Sequence, residues 1–167
     1  RLVGSEMCIR DSNSISSNYV RTLCLDSQNA LWIGTLNSLN IYNEEDDRFD
    51  IYASDPQQSG SLSQTSVRDI FRDAQGGMWL GTYYGGVNYY HPFKDRFTNI
   101  RSTAKENSLS CNIIGCIRED AAHNLWIGTN SGGVNCYNPR TLSFRHYTKK
   151  EGVGSNDIKV ILSLIHI

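Results

Sequence analysis

A five-residue pattern recurs three times in this sequence at one fixed spacing, and it constrains the fold more than any other feature. The pattern is leucine or methionine, then tryptophan, an aliphatic residue, glycine and threonine. Its three copies place every tryptophan of the chain 47 residues from the next, at Trp32, Trp79 and Trp126. Such an internal repeat predicts copies of one small unit that pack side by side.

The repeat extends well beyond the tryptophans. An aspartate stands six residues before each tryptophan, at Asp26, Asp73 and Asp120, and a glycine two residues after it, at Gly34, Gly81 and Gly128. Further positions in step are Ile15, Leu62 and Leu109; Ser16, Ser63 and Ser110; Val20, Val67 and Ile114; Leu23, Ile70 and Ile117; Asn40, Asn88 and Asn135; and Phe49, Phe97 and Phe144. The units differ in length only between apolar runs, which marks those differences as loops.

Each unit contains four short runs of branched and aromatic residues separated by turn-forming residues, which predicts four antiparallel strands. The run 67–72 and its equivalents space their fixed apolar positions by three residues. This spacing leaves open a strand buried on both faces, a bulge or a single helical turn. Paired glycines such as Gly85 and Gly86 indicate a hairpin between the second and third runs.

Four short strands in a unit of about 40 to 50 residues are typical of one blade of a β-propeller. The sequence therefore predicts an all-β fold: a partial β-propeller with about three four-stranded antiparallel blades plus the first strand of a fourth. We expect the blades at residues 13–53, 54–101 and 102–148, and the start of the next at 149–161.

The repeated tryptophans, glycines and aspartates are interpreted as a structural core. An indole buried between neighbouring blades hides about 150–250 Å², and a glycine two residues on leaves room for the next sheet. Stacking of a sugar on the tryptophans is the alternative, but strict periodicity is what a core needs. Each aspartate heads a turn and is expected to accept backbone N–H bonds. A calcium loop needs further oxygen ligands at alternate positions, and no second acidic residue follows here.

Both ends of the chain break the repeat. Residues 1–12 and 162–167 resemble translations of the two orientations of a transposase adaptor used to prepare sequencing libraries. We therefore expect these segments not to be native and leave them out of the fold prediction.

Composition excludes some partners. The net charge is −1 without a basic stripe, which argues against nucleic acid as a partner. No apolar run approaches the roughly 20 residues that span a bilayer, so no membrane contact by this segment is expected. Outside the ends, the cysteines Cys24, Cys111, Cys116 and Cys136 fall at different repeat positions and are expected to be small, partly buried apolar residues. Neither a metal site nor a cofactor is predicted.

A capping aspartate, a short turn, Leu-Trp-Ile-Gly-Thr, a Gly-Gly turn and a tyrosine followed by Asn or His closely resemble the two-component regulator propeller repeat. The resemblance covers nearly all of residues 13–161. It implies one part of paired propellers in the periplasmic sensor region of hybrid two-component histidine kinases, which often respond to glycan breakdown products. It further implies a small carbohydrate ligand, further propeller blades, a homodimer partner and a parent protein that is a sensor kinase, while this segment itself is not an enzyme.

The candidate ligand-binding residues lie in turns and links between strands. The turns after the tryptophan strands supply four of them, and the links before the opening strands supply two: Tyr83, Tyr84, Asn130 and Ser131, with Asn18 and Asn112. Adjacent aromatic residues in a turn offer a flat face to a sugar ring, so Tyr83 and Tyr84 are the first choice. The alternative is that these tyrosines only cover the edge of a blade.

Two other functions stay open. A propeller enzyme, such as a quinone-cofactor dehydrogenase or a lyase, would need a catalytic group, but His91, His123 and His146 occupy unrelated repeat positions. No G-x-S-x-G or phosphate-binding glycine motif is present. The third possibility is a purely structural propeller that binds other proteins.

Overall fold

The computed structural model of the protein describes residues 13–58, 60–91 and 97–162, so the segments 1–12 and 163–167 lie outside the described residues. Twelve strands form three four-stranded antiparallel sheets in this part of the chain, one sheet for each repeat unit. The order of strands in each sheet follows the order in the chain. The predicted all-β fold with three four-stranded antiparallel blades is confirmed.

The strands match the apolar runs of the sequence closely. The first sheet contains β1 (Val20–Leu25), β2 (Leu31–Thr35), β3 (Leu39–Asn43) and β4 (Arg48–Tyr52). The second contains β5 (Val67–Arg72), β6 (Met78–Thr82), β7 (Val87–Tyr90) and β8 (Phe97–Ile100). The third contains β9 (Ile114–Glu119), β10 (Leu125–Thr129), β11 (Val134–Asn138) and β12 (Ser143–Tyr147). Neighbouring sheets meet mainly through β1, β5 and β9, which are therefore the inner strands.

The unusual apolar spacing in the inner strands is explained by a β-bulge. Val67 pairs with Thr82, whereas Ile70, three residues later, pairs with Leu80, only two residues before Thr82. The extra residue of the bulge puts Val67 and Ile70 on the same face of the sheet, and both are buried. The same irregularity occurs in β1 and β9. Of the alternatives that the sequence left open, the bulge is correct.

The core consists of two apolar layers, one between each pair of neighbouring sheets. Trp32 of the first sheet lies in the layer with Leu39, Leu62, Val67, Ile70, Met78 and Leu80. Trp79 of the second sheet lies in the layer with Val87, Leu109, Ile114, Ile117, Leu125, Ile127 and Tyr137. Trp32 and Trp79 are each 3% exposed. Trp126 belongs to the outer face of the third sheet and is half-buried, stacked on Tyr147.

The glycine after each tryptophan is required by the close approach of the next inner strand. A Cβ atom built on Gly81 would lie 2.5 Å from Cγ2 of Ile114. A Cβ atom built on Gly34 would lie 2.9 Å from Cγ1 of Val67. A side chain at either glycine would therefore push the neighbouring sheet away.

Each repeated aspartate joins the turn to the indole. In the second unit the N–H groups of Gln75 and Gly77 donate to Asp73 Oδ1 at 3.0 and 2.7 Å, and Trp79 Nε1 donates to Oδ2 at 2.8 Å. The indole bond recurs at 3.0 Å from Trp32 to Asp26 and at 2.8 Å from Trp126 to Asp120. This bond explains why the aspartate and the tryptophan are six residues apart in every unit.

The expected first strand of a fourth blade does not form. Residues 152–162 contain no strand, because their backbone bonds to the third sheet, such as that from the Gly133 N–H to the Asn156 carbonyl at 2.9 Å, are isolated and do not form a ladder. The segment nevertheless occupies the place of an inner strand. Ile158 lies against Gly128 as Ile114 lies against Gly81, and its N–H donates to the Thr129 carbonyl at 2.9 Å.

No helix within residues 13–58, 60–91 and 97–162 has the length and apolar character needed to cross a membrane.

We predict that Trp79→Ala lowers the free energy of unfolding by about 3–5 kcal/mol, because it removes a large buried side chain from the layer between two sheets. Trp126→Ala is the matched control and is expected to cost clearly less, since Trp126 is only half-buried. Urea denaturation followed by circular dichroism measures both. Equal losses of unfolding free energy in the two variants would contradict the claim that packing between sheets determines how much the indole stabilises the fold.

We also predict that Asp120 contributes stability that disappears in acid. Partial burial raises the pKa of Asp120, but hydrogen bonds from the Trp126 indole, Asn124 and the Ala122 backbone outweigh this and lower it below the ordinary 3.8. A lowered folded-state pKa means that the contribution is present above about pH 4 and is lost as the pH falls through the folded value. Unfolding free energies measured from pH 6 to about pH 3 should therefore fall less steeply in Asp120→Asn than in the wild type. Trp126→Phe, which removes the indole donor, should reduce the slope as well; an unchanged slope in both variants contradicts the role of this bond.

Candidate ligand-binding edge

The six candidate residues lie along one edge of the three sheets. Because neighbouring strands run antiparallel, the turns between second and third strands lie at the same edge as the links that join successive sheets. We call this the link edge; the aspartate turns lie at the opposite edge. Tyr83, Tyr84, Asn130 and Ser131 belong to such turns, and Asn18 and Asn112 end the links before β1 and β9.

The turn that carries the two tyrosines is built by Thr82. The Thr82 N–H and hydroxyl both donate to the Gly86 carbonyl, at 3.0 and 2.9 Å, and the Gly85 N–H donates to the Thr82 hydroxyl at 2.9 Å. Gly86 has a φ of 75°, a conformation that glycine adopts without strain. Thr35 and Thr129 make the same bond to the residue before β3 and β11, so a threonine hydroxyl closes this turn in all three units, although the turn of the first unit is one residue shorter.

The tyrosines themselves project from this fixed backbone. Their ring centres lie 4.3 Å apart in an edge-to-face arrangement, and Tyr84 is 57% exposed while Tyr83 is half-buried. The Tyr83 N–H donates to the Ser66 carbonyl at 3.1 Å, which ties the turn to the start of β5. The pair thus presents one aromatic ring to solvent and uses the other as its support.

Buried asparagines position the links. Asn88 is fully buried; its Oδ1 accepts the Ser63 N–H at 2.9 Å and its Nδ2 donates to the Ser63 hydroxyl at 2.8 Å. Asn135 makes the same two bonds to Ser110, and Asn40 accepts the Ser16 N–H. Each asparagine therefore fixes the link that reaches the link edge of its own sheet.

The remaining candidates make different contacts. Asn112 lies against the tyrosine turn, since its carbonyl accepts the Gly86 N–H at 3.0 Å, but its side chain is already bonded to the Ser102 N–H at 2.7 Å. Asn130 and Ser131 hold the fourth unit: Lys159 Nζ donates to Asn130 Oδ1 at 2.7 Å, and the Ser131 N–H donates to Asp157 at 2.7 Å. Asn18 is exposed at the first sheet. The structure therefore brings Asn112 to Tyr83 and Tyr84, and leaves the other three at neighbouring sheets.

Three residues beside the tyrosines were not among the candidates. Arg68 places Cζ 5.0 Å from the ring centre of Tyr83, and Arg101 Nε donates to the Gly85 carbonyl at 3.3 Å. The Ser66 hydroxyl is buried, and among the described residues it is the one buried side-chain N or O atom without a hydrogen-bond partner. Arg68 could have been found from the sequence as the extra residue of the bulge. The position of Arg101 follows only from the fold.

Asp69, the residue after Arg68 in β5, joins two inner strands. Asp69 Oδ2 accepts the Ile117 N–H at 2.7 Å and Arg118 Nη1 at 3.0 Å, so its charge is paired across the boundary between the second and third sheets. The equivalent residue of the first sheet, Thr22, accepts the Ile70 N–H at 3.3 Å through its hydroxyl. The inner strands are thus linked by side-chain bonds from each sheet to the next.

Other chemistry is not apparent in the described part of the chain. No three His, Cys, Asp or Glu side chains come together there as a metal-binding group. The four cysteines that the structure describes are free, and burial raises the pKa of the Cys116 thiol. These residues do not form a nucleophilic centre at the link edge.

Three sheets of four antiparallel strands, packed side by side through their inner strands, define a β-propeller repeat protein. The model of the two-component regulator propeller family matches residues 14–37, 61–84 and 108–131. One segment of each sheet therefore matches the repeat of this family. No protein with a curated description matches the sequence.

Solved structures with a similar fold include the extracellular domain of a two-component system protein and a lyase. The extracellular domain of BT3049 from B. thetaiotaomicron, described as a hybrid two component system, superposes with a TM-score of 0.81 at 25% identity, over 87% of this chain and 21% of that one. The chain thus spans about a fifth of that domain. Virginiamycin B lyase from Staphylococcus aureus matches with a TM-score of 0.56 at 12% identity, over 84% of this chain and 43% of the enzyme, and this likeness concerns the fold alone.

We predict that Tyr84 titrates at a higher pH than an ordinary tyrosine and that Tyr83→Phe lowers the pKa of Tyr84 toward the ordinary value. A hydrogen bond with the Tyr83 hydroxyl raises the pKa of Tyr84, and the charge of ionised Tyr83 adds to the effect. Titration of ring-labelled protein by NMR measures this directly. An identical titration curve for Tyr84 in the wild type and in Tyr83→Phe would contradict the contact; Tyr42→Phe, on the opposite edge, is the control.

Proposed function

We propose that this chain is part of an extracytoplasmic, periplasmic β-propeller sensor domain that binds a carbohydrate and passes the signal to a histidine kinase of a two-component system. The observation that carries the proposal is the exposed, backbone-anchored pair Tyr83 and Tyr84 on the link edge of a two-component regulator propeller. The similarity to the extracellular domain of BT3049 supports the location outside the cytoplasm.

The geometry of the tyrosine turn suits a sugar. Sugar rings pack their C–H faces on aromatic rings, and the exposed ring of Tyr84 offers such a face. The turn backbone is held by five hydrogen bonds, through Thr82, Ser66 and Asn112, so a bound ligand meets a pre-formed surface. A pre-formed site loses little entropy on binding.

The neighbouring contacts supply a route for the signal. Arg68 lies against Tyr83, and the next residue, Asp69, bonds to the third sheet. A ligand that prefers one arrangement of these sheets shifts the population toward it. In the proposed sensor this shift would bias one arrangement of a homodimer and so reach the kinase.

Further propeller blades are the expected partners of the first sheet. Val20 and Leu23 are 45% and 60% exposed, although the equivalent Val67, Ile70, Ile114 and Ile117 are covered by the tryptophan-bearing face of the preceding sheet. A preceding blade with its own tryptophan would cover Val20 and Leu23 in the same way. This segment by itself is proposed to act as a binding module and not as an enzyme.

Carbohydrate binding is tested with a panel of oligosaccharides and isothermal titration calorimetry on the chain. We expect at least one oligosaccharide to bind, and the double variant Tyr83→Ala/Tyr84→Ala to weaken it at least tenfold, since the aromatic face is lost. Tyr42→Ala, on the opposite edge, is the control and should bind as the wild type does. Binding that survives the double variant rejects this site.

The connection to a kinase is tested by the reading frame on either side of the chain. We expect a membrane-spanning segment and a histidine-kinase core downstream. A frame that continues into a catalytic domain of another kind would reject the signalling role.

A further inference from the structure

The tyrosine turn of the second sheet carries side chains that the other two sheets lack. Its residues 83 and 84 correspond to Leu36 and Asn37 in the first sheet and to Asn130 and Ser131 in the third. The threonine bond that closes the turn and the buried asparagine beneath it recur in all three units, although the first turn is one residue shorter. The aromatic pair is therefore not required by the packing that every blade shares.

Two guanidinium groups flank this turn. Arg68 lies over the Tyr83 ring, and Arg101 Nε donates to the carbonyl of Gly85, the residue after Tyr84. Within the described part of the chain neither arginine forms an ion pair, and the nearest carboxylate in sequence, Asp69, is already paired with Arg118. The residues that correspond to Arg101 are Ala53 and Thr148. The turn thus gathers two positive charges that no described carboxylate neutralises.

A third observation is independent of charge. Ser66 is 4% exposed, and its hydroxyl has no hydrogen-bond partner among the described residues, although buried hydroxyls normally have one. Its carbonyl accepts the Tyr83 N–H, so the serine lies directly beside the aromatic turn. Among the described residues, the packing of the sheets therefore leaves a buried hydroxyl unsatisfied next to this turn.

We propose that this turn binds an acidic saccharide, and specifically a uronate. The sugar ring packs on Tyr84, and its carboxylate is held by Arg68 and Arg101. The planar guanidinium fork suits a carboxylate, and a charge-assisted hydrogen bond is about twice as strong as a neutral one. This inference rests on the proposed carbohydrate-sensing function and adds the charge class of the ligand.

The test compares disaccharides that carry a carboxylate at C6 with neutral disaccharides that carry a hydroxymethyl group there. Calorimetry on the 167-residue chain uses α-1,4-digalacturonate and β-1,4-dimannuronate, each paired with its neutral counterpart, galactobiose and mannobiose. We expect at least one uronate to bind roughly tenfold or more tightly than its neutral counterpart, and this preference to shrink as NaCl rises from about 20 to 500 mM, because salt screens the charges.

The arginines are tested by Arg68→Gln and Arg101→Gln, each of which should reduce the preference about tenfold. Arg140→Gln removes the same charge from an exposed position on the opposite edge and should change nothing. The exposed Arg101 cannot affect the core, so Arg101→Gln stays informative even where Arg68→Gln lowers stability. A thermal melt of each variant separates loss of binding from loss of fold.

Three outcomes overturn the inference in distinguishable ways. Neutral and acidic disaccharides that bind equally well, in a Tyr84-dependent manner, reject the uronate assignment and leave carbohydrate sensing intact. A preference for uronates that persists in the double variant Arg68→Gln/Arg101→Gln would show that the uronate binds at another site. Failure of every saccharide to bind rejects the proposed sensor function itself.

Discussion

The insertion of an indole from one sheet against the face of the next is the interaction on which this structure depends. Trp79 fills the layer between the second and third sheets, Asp73 holds its ring through the indole N–H, and Gly81 lets Ile114 approach. The aspartate also fixes the turn that leads into the tryptophan strand. One local motif thereby sets both the turn and the contact between sheets, which explains why these three residue types recur together.

Because packing is supplied by positions inside the sheets, the turns on the link edge are free to differ. Thr82 and Gly86 close the turn with the same bond as Thr129 and Gly133 in the third sheet, while the two residues after the threonine are aromatic only in the second sheet. This separation of scaffold and surface is common in repeat folds, where loops on one face carry the binding residues. The second sheet departs from the repeat most clearly at the tyrosine turn and its two arginines.

Side-chain bonds also join the inner strands of neighbouring sheets, and these bonds differ from one pair of sheets to the next. Thr22 joins the first sheet to the second through one hydroxyl, whereas Asp69 joins the second to the third through a carboxylate that also pairs with Arg118. A charge-assisted bond of this kind is stronger than a neutral one. The boundary next to the tyrosine turn is therefore also the one with the stronger link between inner strands.

The sequence by itself determined the blades, because a period of 47 residues and four apolar runs in each unit leave few folds that could satisfy them. It placed an opening strand at residues 67–72, where β5 lies, and placed Tyr83 and Tyr84 in the turn after the tryptophan strand. It could not choose between a bulge and two-sided burial in β5, since apolar spacing does not record hydrogen-bond pairing. Nor could it show that Arg101, the unpaired Ser66 hydroxyl and the carbonyl of Asn112 meet at the tyrosine turn. Only the tertiary structure decided this, because Ser66 lies in the link before β5 while Arg101 and Asn112 lie at the two ends of the link before β9, and the packing of the sheets brings them together.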